Sequence, residues 1–247
     1  AIHLGDEKQP LALMSRNVRV PSVESLERFR LQVDHSAELA ELTRDLSQDA
    51  GGSGLLDFVR SSTTSALATS QRMESVGASY TSSMPFPDSG LGKKLETVSR
   101  LIASGLETRV YYVRIDGFDT HASQPGAHAV LLRAVSDSVS ALLKNADSQG
   151  VGERLLVMCF SEFGRRVAEN ASEGTDHGTA GPVFLAGSSV KSGLIGEHPA
   201  LSDLDHGDLK HHTDFRQVYA MILEQWLEVD SQSILGADYQ PVAALRV

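Results

Sequence analysis

Asp119 and His121 follow one apolar run of strand length, Glu162 follows another, and Asp176 with His177 stand shortly before a third. Carboxylates and imidazoles are ligands for zinc, manganese and iron, and a metal centre needs three or four of them arriving from separate segments. The first expectation is therefore a divalent-metal site drawn from Asp119, His121, His177, Glu162 and Asp176. Taken singly, each residue has a plainer use. Asp119 with Thr120 would close a turn, Glu162 would pair with Arg165 or Arg166, and Asp176 would cap a turn. Arg165 and Arg166 come just after Glu162, and their guanidinium groups would suit a phosphate or sulfate oxygen; pairing with Glu169 is the alternative. His211 and His212 precede Thr213-Asp214, and capping of the next helix explains that stretch more simply than ligation. His3, His35, His128, His198 and His206 have no partner at ligand spacing, and the acidic group Asp203, Asp205 and Asp208 lacks the spacing and glycine of a calcium loop. The sequence contains no phosphate-binding loop, dinucleotide fingerprint or nucleophile elbow.

These residues need elements to hold them. Residues 1–90 are expected to be mainly helical and 91–247 to be α/β, together a single domain over 1–247. Before Pro21 only turn signals stand out, at Gly5 and Pro10. Ser22 to Asp49 carries leucines at spacings of three and four, and Leu55 to about Val76 carries a second apolar face, so both are expected as helices. Pro85 and Pro87 interrupt the chain; from Lys93, the residues Leu95, Val98, Ile102 and Leu106 recur at helical spacing. Val110–Ile115 and Leu155–Phe160 are expected strands, each emptying into a polar loop, with a third over Val183–Ala186. A helix carrying Leu131, Leu132, Val135, Val139, Leu142 and Leu143 lies between the first two strands, and a long one placing Phe215, Val218, Tyr219, Ile222, Leu223 and Trp226 on one stripe follows the third. Apolar strands alternating with helices predict a parallel sheet covered on both faces, with ligands at the carboxyl ends of its strands.

Composition sets the outer bounds. The 247 residues include 22 Lys+Arg and 32 Asp+Glu, a net charge of −10, which argues against nucleic acid as the main partner. At 41% hydrophobic and 22% charged residues, the chain has the make-up of a globular protein with a sizeable core. No apolar run approaches the roughly 18 residues of a membrane span. Cys159 is the only cysteine, so an internal disulfide is excluded, and its apolar setting suggests a small core residue. A start at Ala1 without methionine fits a shortened or processed N-terminus.

Four strings in order, Gly117-Phe118-Asp119-Thr120-His121, Ser161-Glu162-Phe163-Gly164-Arg165-Arg166, Gly174-Thr175-Asp176-His177-Gly178 and Thr213-Asp214-Phe215-Arg216-Gln217-Val218-Tyr219, resemble the bacterial family catalogued as domain of unknown function 1501. That family is grouped with the alkaline phosphatase, sulfatase and cofactor-independent phosphoglycerate mutase superfamily. The resemblance implies a three-layer αβα sandwich with a mostly parallel sheet, incomplete here at its N-terminus. It further implies two metals at the carboxyl edge: Asp119, His121 and His177 as the first site, and Glu162 contributing to a second in which Phe163 replaces a histidine. Asp176 would either replace that ligand or orient His177 from behind. Nothing before Leu91 matches the superfamily's early aspartate and nucleophile, so the nucleophile is expected to be absent and this chain to be the C-terminal part. The function implied is a divalent-metal (zinc, manganese or similar) hydrolase of small or polymeric phosphate or sulfate esters, inactive as this fragment. A competing expectation is a non-catalytic binding or assembly domain with at most a structural metal. Export to the periplasm is implied as well, since relatives often carry twin-arginine signals.

Overall fold

Ile2–Leu4 (β1) is a three-residue strand buried along its whole length, with Ile2, His3 and Leu4 at 2% exposure or less. The computed structural model describes residues 1–14, 20–23 and 80–246, in two compact units, Ala1–Ile115 and Asp116–Val247. The helices expected over 22–49 and 55–76 lie outside the described residues, except at the first two positions of the former. There the expectation fails: Ser22–Val23 is a strand (β2) paired in parallel with β1, with Leu4 opposite the fully buried Val23. The backbone explains the difference, because His3 N donates to Pro21 O and Gly5 N to Val23 O, so the segment spends its carbonyls on the sheet.

The strand expected over 110–115 is present as Tyr111–Val113 (β3), parallel to β1 on its other side, giving the order β2-β1-β3. The sequence placed no strand at β1, which is nonetheless the central one; three residues offer too little alternation to reveal a period. Against this sheet packs Gly90–Ala103 (α1), whose Leu91, Leu95, Val98 and Leu101 are buried at spacings of four, three and three. It stops before Leu106 because Ser104 caps it and Gly105, at φ 70°, takes the left-handed conformation. At the other end the Ser89 hydroxyl accepts from Gly92 N. Ser89→Ala is expected to cost about 1 kcal/mol, read as a lower urea midpoint at unchanged slope.

The second unit opens with the loop 116–123 and the 25-residue helix Gln124–Ser148 (α2), which buries Ser138, Ala141, Leu142, Asn145 and Ala146. Val157–Cys159 (β4) is shorter than the apolar run expected at 155–160, and it pairs antiparallel with Phe184–Ala186 (β7). The expected parallel sheet is thus seen only in the first unit; the fold is mixed α/β with one small parallel sheet and several antiparallel pairs. A second difference concerns residues read as polar loops. Gly164–Glu169 (β5) and Thr175–Gly178 (β6) form an antiparallel hairpin with a bulge between Arg165 and Glu169. Leu204–Asp205 (β8) and Asp208–Leu209 (β9) make a tighter hairpin, its two-residue turn at His206 (φ 49°) and Gly207 (φ 86°) supplying the positive φ values that such turns require.

The long helix expected from Phe215 is an α-helix only over Phe215–Met221 (α3), followed by a π-turn at Ile222–Trp226. Asp214 caps it in a capping box with Gln217, as the histidine pair's context suggested, and the Arg216 hydrogen bonds hold the Asp214 carboxyl down at about 2. Phe215, expected on the buried stripe, is 58% exposed: it is the first residue of α3, directly after its cap Asp214, and its ring meets Tyr219 edge-on. Met221, Ala244 and Leu245 form the buried centre of this unit, covered by Leu156, Leu185, Val190, Val218, Ile222, Trp226 and Val242. Ser231–Leu235 (α4) follows, capped by Asp230. Cys159 is half-buried rather than fully in the core, and burial pushes its thiol pKa up. Among the described residues no helix is long and apolar enough to cross a membrane.

Candidate metal centre

The loop between β3 and α2 turns sharply at Asp119, where Thr120 N donates to Phe118 O at 2.9 Å and the Thr120 side chain is buried. That turn leaves Asp119 and His121 side by side. His177 arrives from β6, opposite Arg165 in the hairpin register. The three donor atoms converge: Asp119 Oδ1 lies 2.7 Å from His177 Nε2 and 2.9 Å from His121 Nε2, and the two Nε2 atoms are 3.2 Å apart. One ion about 2.0–2.2 Å from each atom fits over a triangle of that size. All three side chains are exposed, between 46% and 61%, so an ion held there would keep positions open to solvent or substrate. Three ligands with open positions is the pattern of a catalytic rather than a closed structural site.

The surroundings orient the ligands. The hydrogen bond from His177, with the charges of His121 and Arg165 nearby, outweighs desolvation and holds the Asp119 carboxyl below the usual carboxylate range; the ionised form is the one a metal needs. Phe163 stacks flat on the His177 ring, with centroids 3.7 Å apart and planes 12° from parallel, and fixes its plane. Asp176 Oδ1 faces His121 Nδ1 at 3.7 Å, favouring the tautomer that leaves Nε2 free as a donor.

Asn170 ties the two segments together. Its Oδ1 accepts from Ser172 N and Gly174 N, while its Nδ2 donates to His121 O at 3.0 Å and to Asp176 Oδ1 at 3.4 Å. Ser123 N and Gln124 N donate to Ser172 O and Glu173 O, closing the clamp. Gly174 presses so near that a Cβ there would sit 2.2 Å from the His121 carbonyl carbon. Sequence reasoning missed Asn170. A signal that could have found it is the run of turn formers Asn170-Ala171-Ser172-Glu173-Gly174 just before Thr175-Asp176-His177. Asn170→Ala is expected to weaken metal binding about 10–100-fold with the hairpin still folded, measurable by isothermal titration with zinc alongside circular dichroism.

The structure brings Asp119, His121 and His177 together and sets Asp176 behind His121, rather than behind His177. Glu162 is exposed and stands outside the triad. Arg165 donates to Thr175 O and Phe118 O, both at 2.6 Å, and approaches Asp119 Oδ1 at 3.4 Å, so its guanidinium braces the two ligand segments. Arg166 donates to Asp208 Oδ1 and His206 O on the β8–β9 hairpin. His212 Nδ1 pairs with Thr213 Oγ1, away from the triad.

The model of the family described as protein of unknown function (DUF1501) matches residues 4–235, which include every ligand and brace just described. The chain belongs to this family. No curated protein and no solved structure matches it. Within this DUF1501 chain the matched segment runs from β1 through α4, so triad, clamp and both hairpins all fall inside the family's own boundaries.

Proposed function

We propose that this chain carries the metal centre of a hydrolase of phosphate or sulfate esters, of the alkaline phosphatase and sulfatase type. The same reading takes the observed strands as part of a three-layer αβα sandwich and places the protein outside the cytoplasm. The observation that carries it is the convergence of Asp119 Oδ1, His121 Nε2 and His177 Nε2 from two segments onto one point, with solvent on the open side. The donor set, one carboxylate and two imidazoles, fits zinc, manganese or iron. When bound, such an ion supplies Lewis acidity toward a phosphoryl or sulfuryl oxygen. The chain's own residues prepare the place: Asp119 stays ionised, Asp176 sets the His121 tautomer, Phe163 fixes the His177 plane, and Arg165 braces Asp119 through the Phe118 carbonyl.

A second reading keeps the metal and drops the turnover. Phe163, which stands where the family resemblance implies a histidine, stacks an apolar ring on His177 and offers no ligand atom, so the triad would hold a single ion without the second one. The two readings part in one assay: p-nitrophenyl phosphate and p-nitrophenyl sulfate given to the zinc- or manganese-loaded protein, as this chain and as its full-length form. Turnover that His177→Ala abolishes supports the hydrolase. Metal-loaded protein that cleaves neither ester in either form contradicts it and leaves a binding domain.

A further inference from the structure

A second group of polar residues lies in the first unit, independent of the metal centre. His3, in the middle of β1, is fully buried, yet its Nδ1 sits 2.9 Å from the hydroxyl of Ser22, its neighbour across the β1–β2 pairing, and Ser22 is exposed. On the other side of the ring, Nε2 is buried with no hydrogen-bond partner among the described residues and faces Glu7 Oε1 at 3.6 Å. Both Glu7 oxygens are 3.1 Å from Lys94 Nζ, which also donates to Arg114 O. Partial burial acts to raise the Glu7 pKa and is outweighed by its backbone hydrogen bond and by Lys94, so the carboxyl is held below its ordinary value and stays ionised.

The order hydroxyl, imidazole, carboxylate is that of an activated nucleophile. Geometry alone leaves open which atom between His3 and Ser22 holds the proton. The Glu7 carboxylate decides it: a negative charge beside Nε2 favours the hydrogen there, which leaves the Nδ1 lone pair to accept from the Ser22 hydroxyl. We propose that Ser22 is an activated hydroxyl that takes an acyl group from activated esters, with His3 as its base. In the step, Ser22 Oγ bonds to the ester carbonyl carbon while its proton moves to His3 Nδ1. The carbon–oxygen bond to the leaving group then breaks, and the leaving group departs with the bonding pair, taking the proton from His3 Nδ1 so that the imidazole returns to its neutral form.

The neighbouring amides limit the fate of the acyl group. His3 N and Gly5 N are committed to Pro21 O and Val23 O. They are not available to stabilise an oxyanion, so only an ester with a good leaving group acylates Ser22; the alkyl ester formed has a far poorer one, hydrolyses more slowly and accumulates.

The test uses p-nitrophenyl acetate on the whole chain, read by intact mass and by fragmentation of the tryptic peptide covering residues 20–28. One acetyl group per chain is expected, placed on Ser22, absent in Ser22→Ala, and formed about 100-fold or more slowly in His3→Gln. Because His3 is buried, that variant could fail to fold, so the unmodified chain is also labelled in urea, where Ser22 should react no faster than other serines. Equal rates at Ser22 in the native and urea-unfolded chain would overturn the proposal. So would acetylation confined to other residues, or no adduct at all.

Discussion

His177→Ala is expected to lower zinc affinity by more than the 10–100-fold that loss of a supporting residue costs, while the chain stays folded. Among the described residues the cluster has three donor atoms, and His177 supplies the one that comes from the hairpin; without it Asp119 and His121 are a two-ligand pair at the surface. The fold should tolerate the change because the ring is half exposed and its main apolar contact is the face of Phe163. Competition titration against a chromophoric chelator gives the affinity, and a thermal melt without metal gives the stability. Affinity within a factor of three of the unmodified chain would remove His177 from the centre. Asp119→Ala should behave likewise, with one difference: it also removes the carboxylate that Arg165 approaches.

Gly174→Ala is expected to act on the same centre from the backbone. An added Cβ would lie 2.2 Å from the His121 carbonyl carbon and 2.3 Å from its oxygen, both main-chain atoms that no rotamer change can move. Overpacking of this kind costs about 1–3 kcal/mol. The relief available is to push the 119–123 loop away from the hairpin, which breaks the hydrogen bonds from Ser123 N and Gln124 N and carries His121 off the triangle. The variant should therefore melt lower and bind zinc more weakly, whereas Ala171→Gly, in the same turn, should leave zinc binding unchanged. A Gly174→Ala protein with native affinity would mean that the clamp does not set the position of His121.

The candidate triad Asp119, His121 and His177 is legible in the sequence because its chemistry shows at the level of residue type: Asp119-Thr120-His121 and Asp176-His177 carry imidazole and carboxylate together between apolar runs. How they are held is not. The hairpin Gly164–Glu169 with Thr175–Gly178 has Val167 and Ala168 as its apolar side chains, and they are adjacent, so hydrophobic alternation could not reveal it; its pairing follows from backbone hydrogen bonds and from glycines at Gly164 and Gly178, where a Cβ would strike the facing chain. Apolar runs located strands near 111–113 and 157–159, but a fully apolar strand carries no mark of its partner's direction, and the second pairs antiparallel with Phe184–Ala186. The central strand Ile2–Leu4 is three residues long and contains a histidine, which reads as polar until Ser22 and Glu7 are seen to flank its ring. Helix α1 was legible to within a turn, because its apolar face repeats regularly and Ser104-Gly105 ends it.

The metal content of the purified chain tests the central claim most directly. After incubation with zinc or manganese and gel filtration, elemental mass spectrometry should find about one ion per chain, reduced to background in Asp119→Ala, His121→Ala and His177→Ala alike. A chain that retains no ion under these conditions, or one whose metal survives all three substitutions, would contradict it.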